Sequence, residues 1–531
     1  MKRLIPLLLT LLLALTPMAA LAEAEGDNVL TVFFTEDPES LEAQMTTEYY
    51  AIPLNAFDRL VECVTVDGQP AIVPGLAKSW DVSEDSLTWT FYLNEGVLFH
   101  NGEELKADDV VYTVNRMMNP ETMAVNTDFF DMIKGAAAFY EDTTGTITEV
   151  EGVRALDDYT VEFTLEEPFG PFLANLATPG CSILNRKATE EAGDQFGIDP
   201  KLTIGTGPFV IESWDLASEI YLSANQNYFK GAPKIDGVRF LIVPDADTQR
   251  MLFENGEADV FDFTYAPSQL EYFRNSEYAD QIVSGPEAGL YFYLFNQNIA
   301  PLENVLVRKA MQLGLDRQAM LDTLYNGEGK VVNSFIPEGV LGHNPDAEVI
   351  EYNPERAKEL LAEAGYPDGF ELEIIQIADN PAILSMNEIF QYYMSQIGIT
   401  VNITQSDEAS YYARRTEGTL PSYRSVWWAD FNDPDNFLYV FFSEKNSITR
   451  GSNYPNAEVH AMLEEARTMT DEAERIALYQ QAEQIIVHED AACIPLFQNN
   501  HVFCLSERVQ NFQIAWNGWS DMSFYAVELS N

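Results

Sequence analysis

PGLAKSWDVSEDSLTWTFYLNEGVLFHNGEELKADDVVYTVNRM, residues Pro74 to Met117, carries both secondary-structure periods in one short span. Leu87, Trp89, Phe91 and Leu93 alternate with Thr88, Thr90 and Tyr92, the period-two pattern of a half-buried strand. Asp108 and Asp109 then read as first-turn residues of a helix, where acidic side chains meet the positive end of the macrodipole. Strands and helices alternate in both directions from this block. Tyr159, Val161, Phe163 and Leu165 alternate with Thr160, Glu162 and Thr164. In NPERAKELLAEAGY, Asn353 is an N-cap, Pro354 the first helical residue and Gly365 the stop. Asp471 and Glu474 have the spacing of a capping box, and the apolar stripe Leu478, Ala482, Ile485 and Ile486 follows at helical period. Asp316 and Gly327 bracket a further helix. The pattern predicts an α/β chain with mixed sheets, and no low-complexity linker or internal repeat interrupts it.

The chain of 531 residues opens with Lys2 and Arg3, an apolar run from Leu4 to Leu15, and Ala20-Leu21-Ala22. That order is the form of a cleaved secretory leader over 1–22; the apolar run is shorter than the ~20 residues of a spanning helix. No cysteine precedes Cys63, so a lipid anchor on a leader cysteine is not expected. The reading is an exported protein, periplasmic or extracellular and soluble. About 509 residues remain, enough for two or three domains with cores of their own. A formal charge of −54 argues against nucleic acid or an anionic membrane as partner. Hydrophobic residues at 46% exclude disorder.

Four cysteines, Cys63, Cys181, Cys493 and Cys504, are too few for a disulfide framework. Cys493 and Cys504 flank IPLFQNNHVF, which reads as a hairpin, so pairing between them is one of three open connectivities. Histidines 100, 343, 460, 488 and 501 contain no H-x-x-x-H pair, and no G-x-S-x-G elbow occurs. Gly205-Thr206-Gly207-Pro208 lacks the lysine of a phosphate loop and reads as a turn into a strand at Phe209–Ile211. Asp433 and Asp435 are followed by neither the glycine nor the glutamate of a calcium loop. The expectation is a protein that is not an enzyme and needs no metal or cofactor.

Six blocks in order resemble the family 5 extracellular solute-binding proteins, the dipeptide and oligopeptide receptors of ABC importers. They are Pro74–Met117, GTGPFVIESW (Gly205–Trp214), Asn227–Phe240 with FENGEADV (Phe253–Val260), VRKAMQLGLDRQAM (Val307–Met320), Tyr352–Leu372 and WWADFNDPDNF (Trp427–Phe437). The resemblance implies a two-lobed periplasmic-binding-protein clamshell, type II-like, with an extra subdomain in the first lobe. The first lobe would be discontinuous, from 23–55, 180–285 and 500–531, with the subdomain at 56–179 and the second lobe at 286–499. Chain crossings near Gly285 and Gln498 would form the hinge. The implied function is capture of short peptides by a monomeric receptor that delivers them to ABC permease subunits. An oligosaccharide, a nickel complex or another small solute is the alternative ligand on the same fold, and a secreted hydrolase the alternative of a different class.

The resemblance places the ligand's α-ammonium on Asp430, the aspartate of Trp427-Trp428-Ala429-Asp430, and its carboxylate on Arg424. If Ser422–Asp430 is extended, Arg424, Val426, Trp428 and Asp430 share one strand face, and the two Cα atoms lie about 20 Å apart. Side-chain reach leaves about 10–12 Å between the charges, the length of an extended tripeptide. Trp428, Trp427 and Val426 join Asp430 and Arg424 as candidate ligand contacts; the two tryptophans alternate across the strand, so one is expected to pack in the core and the other, Trp428 on the face of Asp430, to line a pocket. Asp433, Pro434 and Asn436 are expected to shape the following turn. Across the cleft, Glu48, with Thr47 and Tyr49 beside it, is the candidate first-lobe contact.

Overall fold

The computed structural model describes residues 28–531 except 48, 67–68, 265, 326, 379, 518–521 and 531. The expected leader and Glu48 lie outside the described residues. The alternation read in the opening block becomes the strand Thr88–Leu93, which buries Trp89, Phe91 and Leu93. It pairs antiparallel with Ala77–Val82 and Thr160–Thr164, and Val153–Asp157 completes a four-stranded sheet. The helix Ala107–Met118 lays Val110, Val114 and Met117 into the same core, which is built from residues between Leu60 and Ile183. Asp109 accepts from the Lys106 and Arg186 N–H groups, each at 2.9 Å, and so caps the helix while tying it to the next segment.

A second sheet orders Val29–Phe34, Gly237–Ile242, Glu219–Ala224 and Phe209–Asp215. Its first pair is parallel and the others antiparallel, so the sheet is mixed. Phe503, Val509, Phe524 and Val527 from the C-terminal stretch fill its core. Beside it, Asn500–Leu505 lies between Val260–Asp262 and Ile282–Pro286.

The remaining large sheet runs Lys330–Val331, Cys493–Gln498, Gly289–Phe295, Ser422–Trp428. Gly289–Phe295 is buried along its whole length because helices cover both faces. Leu290, Phe292 and Leu294 meet Phe437, Phe441 and Tyr479 on one side. Tyr291, Tyr293 and Phe295 meet Val307, Met311 and Phe390 on the other. Phe370–Ile377 and Ile399–Ser406 pair in parallel around the helix Pro381–Gln396. The helix Pro354–Glu363 forms as its caps require: the Asn353 side chain accepts from the Arg356 N–H, and Gly365 takes φ +93° just beyond the C-terminus. Asp471 likewise accepts from Glu474 N–H to start Glu472–Glu483. Among the described residues no helix is long and apolar enough to cross a membrane.

The chain passes between the second region and this sheet at Pro286–Gly289 and again at Gln498–Asn500. The Glu287 N–H donates to Asn499 O at 3.3 Å, and Gln498 Nε2 donates to Glu287 O at 2.5 Å, so the two crossings are held side by side. This corrects the hairpin expected around IPLFQNNHVF. Cys493–Gln498 and Asn500–Leu505 continue in line from one sheet into another instead of folding back. Cys493 pairs with Leu294 and Cys504 with Phe261 and Ile282, in separate cores, and both thiols are free, as are Cys63 and Cys181.

Candidate functional site

Ser422–Trp428 is rich in aromatic side chains and finds its full ladder against Gly289–Phe295, with Trp428 opposite Gly289 and Arg424 opposite Tyr293. It is two residues shorter than the extended Ser422–Asp430 expected. The Ala429 N–H still donates to Ala288 O at 2.9 Å, but Asp430 has left the strand and opens the turn into the helix Asp435–Phe442. Two side chains of that turn take over from the ladder. Asn436 Oδ1 accepts from the Asp430 N–H at 2.9 Å and from Trp427 Nε1 at 3.2 Å, while Asn436 Nδ2 donates to Asp430 Oδ2 at 3.0 Å. Asp433, fully buried, accepts from the Asp435 N–H at 2.9 Å and from Arg475 Nη1 at 2.8 Å, with Arg475 Nη2 on its other oxygen. The turn residues expected from sequence therefore do more than bend the chain: Asn436 aims Asp430.

The break in the strand separates the two charges that the extended reading had placed together. Arg424, Val426 and Trp428 do share a face. The Arg424 guanidinium lies 4.8 Å from the Tyr291 ring centre and its Nε meets Met386 Sδ at 3.2 Å. Val426 packs into the core around Tyr291 and Tyr293. Trp428 Nε1 donates to Glu287 Oε1, and its ring stands at 78° to Tyr291. Trp427 takes the opposite face, against Phe441 at 5.3 Å and under Arg450 at 4.7 Å, and packs on the other core. Asp430 is bound to this side through Asn436.

Asp430 is half-buried on the wall of a cavity of ≈ 130 Å³. The other walls come from distant segments: Arg59 and Thr65, the stretch Ala174–Pro179, and the C-terminal residues Gln513 to Asn517 with Ser523. Arg424, Val426, Trp427 and Trp428 do not line it. Burial pushes the Asp430 carboxyl up to about 6; the Asn436 amide and the Arg450 charge oppose this, and the Asp128 carboxylate adds to it. Among the described residues no lysine or arginine nitrogen forms an ion pair with Asp430. A carboxylate so held and aimed can accept hydrogen bonds from an ammonium group. Arg59 and Asn436 were missed as site residues. Arg59 had one visible signal, a lone guanidinium in the otherwise apolar-rich AFDRLVECV. Among the described residues no group of three or more His, Cys, Asp or Glu side chains could hold a metal ion.

Comparison with known proteins gives this geometry a context. Residues 71–449 match the family described as bacterial extracellular solute-binding proteins, family 5 Middle. Heme-binding protein A of Haemophilus influenzae is 32% identical over 91% of this chain and 88% of its own length. The dipeptide-binding protein of Escherichia coli is 30% identical over 92% of each chain. Among solved structures, HbpA2 from Haemophilus parasuis superposes with a TM-score of 0.82 at 30% identity, covering 95% of this chain and 100% of that one. The periplasmic binding protein DppA from Helicobacter pylori, in complex with the peptide STSA, does so with a TM-score of 0.76 at 29% identity, covering 95% and 98%. The mixed α/β architecture is thus that of a two-lobed periplasmic binding protein, and the chain belongs to the bacterial extracellular solute-binding proteins of family 5.

Proposed function

We propose that this protein is an extracytoplasmic receptor that captures short peptides with a free amino terminus and passes them to the permease of an ABC importer. Asp430 is the residue that meets the peptide's ammonium. The observation that carries the reading is the state of that side chain: a half-buried carboxylate, clamped by Asn436, without a cation of its own, on a cavity whose remaining walls come from other parts of the fold. An uncompensated carboxylate in such a site rejects guests without a cation as effectively as it rewards those with one.

The paired crossings at Glu287–Asn499 favour a hinge, with 286–499 as one lobe and 23–55, 180–285 and 500–531 as the other, 56–179 being its subdomain. Closure of such a hinge makes ligand affinity include the free energy of the open-to-closed shift. The receptor acts as a monomer in the periplasm or outside the cell. Relatives named for peptides, and one solved with a peptide bound, support the ligand class.

Calorimetry on protein stripped of co-purified ligand by denaturation and refolding tests the reading. With a panel of neutral dipeptides (Ala-Ala, Gly-Leu and Phe-Val), Asp430→Asn should lose about 100-fold in affinity, the usual cost of leaving one charge of a buried pair alone. Equal affinity of both proteins rejects the ammonium role. Tight binding of hemin by both, with no peptide bound by either, replaces the peptide by a solute that offers Asp430 no ammonium.

A further inference from the structure

Arg59 stands out among the buried cations. Its side chain is 9% exposed, and its Nε and Nη1 atoms are fully covered without a hydrogen-bond partner. Among the described residues it is the one arginine with two such nitrogens. Arg250 and Arg467, each with one such Nε, keep a carboxylate within 3.5–3.7 Å, and Arg415, with one, stacks on Tyr412 at 4.8 Å. Among the described residues Arg59 has no carboxylate within ion-pair distance. The adjacent Asp58 does not serve it, because that carboxylate accepts from Thr206 Oγ1 and Tyr228 Oη at 2.8 Å each. A buried guanidinium with unmade hydrogen bonds is costly, so its persistence calls for an anion that is absent from the protein itself. Arg59 opens on the cavity that Asp430 lines from the opposite region of the chain.

We propose that Arg59 is the anion subsite of this receptor, and that it takes the terminal carboxylate of a dipeptide whose ammonium rests on Asp430. The inference builds on the peptide reading above and narrows it. In this structure the two charges line one space of ≈ 130 Å³. Opposite charges lining one such space suit the two ends of one short zwitterionic guest. Gln513, Asn517 and Ser523 supply neutral polar groups around it. A planar guanidinium is suited to a carboxylate because its parallel N–H groups match the two oxygens.

The test uses the tightest of the neutral dipeptides and its C-terminal amide, measured by calorimetry on the wild-type receptor, Arg59→Met, Arg59→Lys and Asp430→Asn. For the wild type, the amide should bind about 100-fold more weakly than the free acid. Arg59→Met should lose a similar factor for the free acid and bind the amide as the wild type does, with Arg59→Lys in between. The ligand-free melting temperature of Arg59→Met should be unchanged or higher, since an unsatisfied charge has been removed; a marked fall would show a structural role and overturn the assignment. Equal wild-type affinity for acid and amide also overturns it, and needs no variant. If peptides bind and Asp430→Asn abolishes binding while Arg59→Met does not, the anion subsite falls and the ammonium site stands. If no dipeptide binds the wild type, both fall together.

Discussion

On the proposed peptide reading, Asp430 would carry binding through the cost of its own burial. Its carboxyl is pushed up to about 6 by burial, so the empty receptor pays for ionising it at neutral pH. An arriving ammonium removes that penalty. Below about pH 6 the proton becomes the competing ligand, because the empty site already prefers the neutral acid. Dipeptide affinity should therefore hold between pH 7 and 8 and fall roughly tenfold for each pH unit below the shifted value, since one proton is displaced per ammonium bound. Titration calorimetry in two buffers of different ionisation heat should count that proton at pH 5.5. Affinity that is flat down to pH 5 would show that the carboxylate does not meet the cation. Asn436→Ala removes the amide that both steadies the Asp430 carboxylate and accepts its backbone N–H, and should weaken binding about tenfold, as loss of an orienting hydrogen bond does.

The site depends on one strand ending where it does, and this is settled between elements. Gly289 lies opposite Trp428, and a Cβ there would come within 2.6 Å of both the Trp428 ring and Glu287 Oε1. Glycine is needed for the closeness of the neighbours. Gly289→Ala should lower stability by about 1–3 kcal/mol through overpacking, read as a lower denaturant midpoint with an unchanged slope. An unaltered midpoint would mean that Trp428 moves aside at no cost. The turn is fixed from its other end by the buried Asp433–Arg475 pair, which ties it to the helix Glu472–Glu483. Arg475→Met strands the Asp433 charge and should cost about 3–5 kcal/mol, measured by the same unfolding curve. A loss near zero would show that the pair only marks the contact without holding it.

Across the whole molecule, buried acids set how stability depends on pH. Burial raises Asp430 and Asp435 to about 6 and Glu483 to about 7, and raises Asp58 and Glu287 as well. A carboxyl with a folded value above its unfolded one binds protons more tightly when folded, so stability declines as pH rises through that range. His501, raised by Asp262, acts in the same sense, its contribution fading as pH rises. His100, held near 4 by burial, with His343 and His488 also lowered, acts oppositely once the pH drops below 6.5. The ligand-free protein should thus gain about 2 kcal/mol between pH 8 and pH 6, seen as a rising melting temperature in calorimetric scans. A formal charge of −54 pushes the same way through self-repulsion. A melting temperature that falls from pH 8 to 6 would contradict this. On the peptide reading, stability and peptide affinity are expected to change in opposite directions as the medium is acidified, because Asp430 contributes to both.

The strands at 87–93 and 160–164, the caps at Asn353 and Asp471 and the family itself were legible in the sequence. Each depends on side chains within a few residues of one another, where period, capping chemistry and motif spacing decide the outcome. Asp430 was legible as a candidate for the same reason, as part of the contiguous Trp-Trp-Ala-Asp block. The strand's end at Trp428 was not, because the Asn436 side chain replaces a ladder whose continuation looked equally good locally. Nor was the course of the chain after Gln498, where partners more than two hundred residues away divert an apparent hairpin into two sheets. The walls of the cavity were beyond it altogether. Arg59, Asp430 and Asn517 meet only when three distant segments fold against each other, and the strength of a charge there is set by how much water that folding removes.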